Sequence, residues 1–222
     1  MKGRILPILN SVVLGILVTE SAIRGDLPSS IANGMTLLNS IKNIFNRRIY
    51  NFTLSLAKEI EEIESQFPNF TEKLTTNDKF LSAFAYALQI AARDHRQEKL
   101  NVLRRAILNT AILNEPDEDL QFSFINYVDG LGPSHLVALQ EFEDDYNHKS
   151  KLPTYEIERK YENYLSELVS FGLLSPPSPP APFEVSLGTI SPHTITDKGK
   201  QFLEFIKSPV VTLSKNPSLL KR

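Results

Sequence analysis

The chain has no cysteine and no tryptophan in 222 residues, only two methionines and only nine glycines. Without cysteine there is no disulfide framework, no thiolate metal site and no thiol nucleophile. Histidine is scarce as well. His95, His135, His148 and His193 lie far apart, so no paired-histidine metal spacing exists. No Arg stands four to six residues before any of them, which removes the helical Arg-x4-His ribonuclease pattern. There is no Gly-x-Ser-x-Gly elbow. Gly130-Leu131-Gly132-Pro133-Ser134 is glycine-rich, but no Lys follows and Pro133 lacks an amide donor, which argues against a phosphate loop. Long apolar runs are missing too. The longest uncharged stretch near the start, Ile5–Thr19, is 15 residues and is interrupted by Pro7, Asn10, Ser11 and Gly15. A spanning helix needs about 20 apolar residues, and Thr19-Glu20-Ser21-Ala22 makes a poor cleavage site. Three readings remain for that stretch: a buried or self-associating helix, a membrane-active segment behind a short basic flank, or an export signal.

What is present is an ordinary globular composition, 41% hydrophobic and 23% charged, with a net charge of −2. The charge is uneven. Residues 114–146 carry nine acidic groups and no Lys or Arg, whereas residues 77–113 carry six basic and three acidic groups. Pairing of the two signs within or between copies of the chain is the simplest reading. A whole-chain nucleic-acid binder would be more basic. Five of the 14 prolines crowd into Pro176–Pro182, a stretch that cannot be helical and has the overlapping P-x-x-P spacing of a rigid spacer or a groove ligand.

Apolar periodicity predicts a mainly α protein. From Ser40 to Phe67 the residues Ile41, Ile44, Phe45, Ile49, Phe52, Leu56, Ile60, Ile63 and Phe67 recur every three or four positions, until Pro68 stops the helix. Asn77-Asp78 caps a second helix lined by Phe80, Phe84, Ala87, Leu88 and Ala91. Arg93–Lys99 is either an exposed section of a long helix or a break, after which Leu100, Leu103, Ile107 and Ala111 resume the pattern. Asn114–Asp117 turns into a helix carrying Leu120, Phe124, Ile125 and Val128. Pro133 restarts the chain with Leu136, Val137, Leu139 and Phe142, and Pro153 opens a helix with Ile157, Tyr161, Tyr164, Leu165, Leu168 and Val169. Phe183–Leu187 and His193–Thr196 read as short strands, and Asp197–Lys207 as a last helix.

Leu165-x-x-Leu168-Val169-Ser170-x-Gly172-Leu173-Leu174, a hairpin, and Thr194-x-Thr196-x-x-Gly199-x-x-Phe202-Leu203 together resemble the carboxy-terminal half of a winged helix. The resemblance implies a helix ending in a Gly-Leu turn, a two-stranded wing and a Thr-x-x-Gly start to the last helix. The helix that would read DNA offers no cluster of Arg, Asn or Gln. Leu103-x-x-Ala106-Ile107-Leu108-Asn109, an acidic spacer, Phe124-Ile125 and Leu131-x-Pro133-x-His135-Leu136-x-x-Leu139 resemble the helical alpha-type abortive infection proteins of bacteria. That resemblance implies a role in bacterial conflict with phage. The expected location is the cytoplasm, with membrane association as the alternative.

The sequence therefore predicts a helical bundle over residues 1–146 and a winged-helix-like subdomain over 147–222. It predicts no enzyme, no cofactor and no small-molecule substrate. A protein partner or a homo-oligomer leads, with a membrane reached through residues 5–19 and nucleic acid as the alternatives. The candidate nucleic-acid or partner contacts are Arg93, Arg96, Lys99, Arg104, Arg105, Lys198 and Lys200. Asp94-His95 is a weak acid–base candidate, and the carboxylates 117–119 and 141–145 lack the ligand order of a calcium loop.

Overall fold

The computed structural model describes residues 32–113, 118–177 and 192–215, together with Ile5, Pro7, Leu9, Ser11 and Val13. Among them 79% are helical, in nine helices, with one two-stranded antiparallel sheet near the carboxy terminus. The chain divides into two compact units, Met1–Ile125 with Ser208–Arg222, and Asn126–Lys207.

Unit 1 is built on α1, Ala32–Gln66. It begins eight residues before the predicted start and follows the predicted stripe: Ile49, Phe52, Leu56, Ile60 and Ile63 are buried, together with Thr53 and Ala57. Ile44, at the amino-terminal end of that stripe, is 38% exposed. The chain turns at Asn69, in the left-handed region, into the short α2, Phe70–Thr75. The Glu64 carboxylate accepts from the Asn69 and Thr71 amides at 2.9 and 2.6 Å, satisfying donors that the new helix leaves open. Next comes α3, Asp78–Arg93, where the Asn77 side chain accepts from the Phe80 amide at 2.9 Å, as its N-cap position predicts. Its whole predicted face is buried, with Ala83 and Ile90 added. Asp94, His95 and Arg96 then break the chain, and α4 runs Gln97–Ile112. Helix α3 packs on α1 and α4, and the terminal helix of this unit, Pro209–Lys215, packs on α4.

The helix Glu118–Gly130, α5, carries the chain from unit 1 into unit 2. In unit 2, α6 spans Pro133–Tyr146 and α7 spans Thr154–Ser170. Leu139 and Phe142 are buried as predicted, but Val137 is 52% exposed. The inward stripe runs through Ala138, Leu139 and Phe142, which leaves position 137 outside it. Helix α7 buries Ile157, Tyr161, Leu165 and Leu168 and is kinked at Tyr161. Past its end the chain reverses at Gly172 (φ +70) and enters β1, Leu174–Ser175, which pairs antiparallel with β2, Thr194–Ile195. The predicted strand Phe183–Leu187 lies outside the described residues, as do Asn114–Asp117 and most of Pro176–Pro182. Helix α8 occupies Asp197–Phe205, and Pro209–Lys215, which had no counterpart in the sequence reading, is α9.

The sequence reading divides the chain at 146/147, and the compact units of the structure divide it elsewhere. Helix α6 packs on α7, β2 and α8 and so belongs to unit 2, whereas α9 packs on α4 and returns to unit 1.

Candidate functional site

The basic run of unit 1 begins at the end of α3. Arg93 is exposed and turns its Nε back to the Gln89 carbonyl at 3.2 Å. Arg48 of α1 donates to the last carbonyls of that helix, Ala92 at 3.3 Å and Arg93 at 3.1 Å. Asp94 organises the break that follows. It accepts from the Arg96 amide at 2.8 Å and from the Arg96 guanidinium at 2.6 to 3.2 Å, and it lies 3.3 Å from the Lys99 ammonium. The Arg96 guanidinium, helped by that residue's own amide and by Lys99, holds the Asp94 carboxyl far below the usual carboxylate range against the opposing effect of burial. Lys99 is only 3% exposed. As a candidate surface contact it is therefore corrected: its ammonium is drawn inward to the half-buried Asp94 carboxylate.

Arg104 pairs with Glu59 of α1 at 3.2 Å and with Asn101 at 2.7 Å, while Arg105 is exposed. The run is thus broken by a turn, and part of it fastens α4 to its own unit. Its described ion pairs are to Asp94 and Glu59. In unit 2 Glu141 of the acidic segment 114–146 lies 3.5 Å from Lys160. Against the opposing effect of burial, the Lys207 pKa is raised, chiefly by its hydrogen bond and charge pairing with Glu204 and to a smaller extent by Glu143 and Asp144.

The two candidates in unit 2 are also engaged. Lys198 donates to the Phe171 carbonyl at 3.1 Å and lies 4.8 Å from the Tyr127 ring centroid. Lys200 sits 3.7 Å from the Tyr146 ring centroid and 3.2 Å from Asp197. Each is held in a cation–π contact.

Two of the four histidines tie unit 2 together. His135 Nδ1 accepts from the Gly132 amide at 3.1 Å, covering an open donor at the start of α6. Its ring stands edge-on to Tyr164 at 4.8 Å, and its Nε2 lies 2.9 Å from Glu167 Oε2 but off the direction of a hydrogen bond. His193 presents both its amide, at 2.8 Å, and its Nδ1, at 2.7 Å, to one oxygen of Glu158. That contact pins the approach to β2 against α7. His95 and His148 are exposed, and the contacts of Asp94 go to Arg96 and Lys99 rather than to His95. Among the described residues no three His, Asp or Glu side chains gather to hold a metal ion.

Sequence reasoning missed the corner between α6 and α7. Tyr146 is 56% and Tyr155 67% exposed. His148, Lys149 and Lys151 between them are exposed as well. The signal was in the sequence: aromatic residues interleaved with lysines and no intervening carboxylate.

The apolar amino-terminal stretch is described at alternate positions only. There Ile5 and Leu9, four residues apart, are 2% and 0% exposed. Those side chains are covered by protein. No helix among the described residues is long and apolar enough to cross a membrane.

No protein-family model matches the chain, and neither a curated protein nor a solved structure does.

Proposed function

We propose that the chain is a non-catalytic interaction protein, acting through a protein partner or a second copy of itself. The observation that carries this reading is the use of its titratable side chains as structural ties. His135 caps α6, His193 fastens β2 to α7, and Lys99 and Arg104 are held by Asp94 and Glu59. A catalytic arrangement would instead aim such groups at a common reacting atom. The resemblance of Leu103–Leu139 to alpha-type abortive infection proteins supports a partner met in the bacterial cytoplasm during conflict with phage.

The reading of unit 2 as a winged-helix-like module draws support from two local geometries. Gly172 reverses the chain after α7 with positive φ, and Thr196 Oγ1 accepts from the Gly199 amide at 3.0 Å to open α8. These are the structural roles that the Gly-Leu turn and the Thr-x-x-Gly segment imply. The burial of Ile5 and Leu9 weighs against the membrane reading, because the side chains that would insert already have cover.

Sedimentation velocity of the full chain, alone and mixed with extract fractions from a bacterial host, tests the proposal. A stable self-complex, or a saturable complex with one protein that is weakened by reversing Arg96 and Arg105, supports it. A strictly monomeric protein that forms no complex and turns over a substrate overturns it.

A further inference from the structure

We propose that the corner from Tyr146 to Tyr155, with Lys200 beside it, is a docking surface for single-stranded nucleic acid. The inference goes beyond the protein-partner reading and stands or falls separately from it.

The corner is firmly built. Thr154 Oγ1 donates to Asp145 Oδ2 at 2.7 Å and closes the loop at its base. The Lys149 and Ser150 amides both donate to the Asp144 carbonyl, at 2.7 and 3.1 Å, and the His148 amide to the Asp145 carbonyl at 2.9 Å. Ser150 Oγ bridges within the loop, accepting from the Leu152 amide at 3.1 Å and donating to its carbonyl at 3.0 Å. Tyr146 and Tyr155 therefore adjoin two residues, Asp145 and Thr154, that are joined directly to each other. Both rings stand largely in solvent, at 56% and 67%.

The charge between them has one sign. Lys149 and Lys151 are exposed, His148 stands beside them, and no Asp or Glu occurs from 146 to 155. The Lys200 ammonium adds a further positive group, already placed on the Tyr146 ring and shared with the exposed Asp197 carboxylate at 3.2 Å. The neighbouring carboxylates face other partners: Asp145 accepts from Thr154, and Glu143 and Asp144 accept from Gln140 at 2.9 and 3.3 Å. At the far edge Glu156 receives the Tyr155 hydroxyl at 3.1 Å, which steadies that ring.

Exposed rings interleaved with lysines suit a ligand that alternates flat bases with phosphates. An acidic peptide would use the lysines but leave the rings without a role. Recognition of this kind tolerates sequence, because every base has a π-face and every nucleotide a phosphate. Unit 2 as a whole carries seven basic and 12 acidic residues, so attraction is confined to this corner and the tract held is short.

The test is fluorescence anisotropy of labelled oligo-dT and oligo-rU, about 15 nucleotides long, with the full chain at low salt. Binding of either is expected, with DNA and RNA distinguished by the two probes. Tyr146→Ala with Tyr155→Ala should weaken it about tenfold or more. Lys149→Glu with Lys151→Glu should weaken it and flatten the salt dependence by about 1.4 in log–log slope. Lys58→Glu, an exposed change on α1, should leave it unaltered, and circular dichroism should show every variant folded. Failure of both oligonucleotides to bind, or binding indifferent to the Tyr and Lys changes, overturns the proposal. So does competition by poly-glutamate as effective, charge for charge, as by oligonucleotide, since that would make the corner a general polyanion surface.

Discussion

Replacing Gly199 by alanine should destabilise the protein, although alanine is normally the better helix former. Gly199 is the third residue of α8, and in an exposed helix the exchange would stabilise by about 1 kcal/mol. Here a Cβ would lie 2.3 Å from the Leu173 carbonyl oxygen and 2.9 Å from Ile195 Cγ1. The first is a backbone atom that cannot swing aside, so either α8 or the Gly172–Leu173 turn must retreat by roughly 1 Å to restore van der Waals distance. That carbonyl also accepts from the Thr196 amide and the Thr196 hydroxyl, both at 3.1 Å. A retreat stretches both bonds, each contributing about 1 kcal/mol, on top of a comparable overpacking cost. Set against the propensity gain, the net loss is about 2 kcal/mol. Urea unfolding of the full chain, followed by far-ultraviolet circular dichroism, measures it. Gly199→Ala equal to or more stable than the parent would refute the claim that close backbone approach dictates glycine at this position.

Other outcomes follow from particular contacts. Asn77→Ala removes the cap on the Phe80 amide and should cost about 1 kcal/mol in the same assay. Leu9→Ala should cost about 2–4 kcal/mol, because the side chain is fully buried. Liposome flotation should show no membrane binding by the intact chain, and Leu9→Ala without loss of stability would contradict that burial. The depressed Asp94 carboxyl implies a definite pH dependence. Its contribution is fully present above the unfolded value of about 4 and is lost as pH falls toward the lower folded value. The stability gap between the parent and Asp94→Asn should therefore be constant near neutrality and shrink below about pH 4 in urea unfolding series.

The helices were legible because burial follows periodicity: from Ile49 to Ile63, the stripe read from the sequence is the face that packs. The cap at Asn77 and the helix start at Pro133 were legible because they act within a few residues of chain. What eluded the sequence depends on partners far along the chain or on solvent. Lys99 reads as one more charge in a basic run, and only the turn at Asp94 shows that its ammonium goes inward. Val137 reads as core by its apolarity, yet its position leaves it half exposed. His193 gave no hint of Glu158, 35 residues earlier, until α7 and β2 were placed side by side. Strand β1 is two residues long, too short for alternation to announce it. The return of Pro209–Lys215 to α4 has no local signature in the sequence.

The central claim is that this protein acts by binding and not by chemistry. Its most direct test is product release by the purified full chain across phosphate esters, acyl esters, peptides and nucleic acids, with and without divalent cations. The account predicts no turnover above that of His193→Asn and Asp94→Asn measured beside it. Turnover by the parent that disappears in either variant would contradict it.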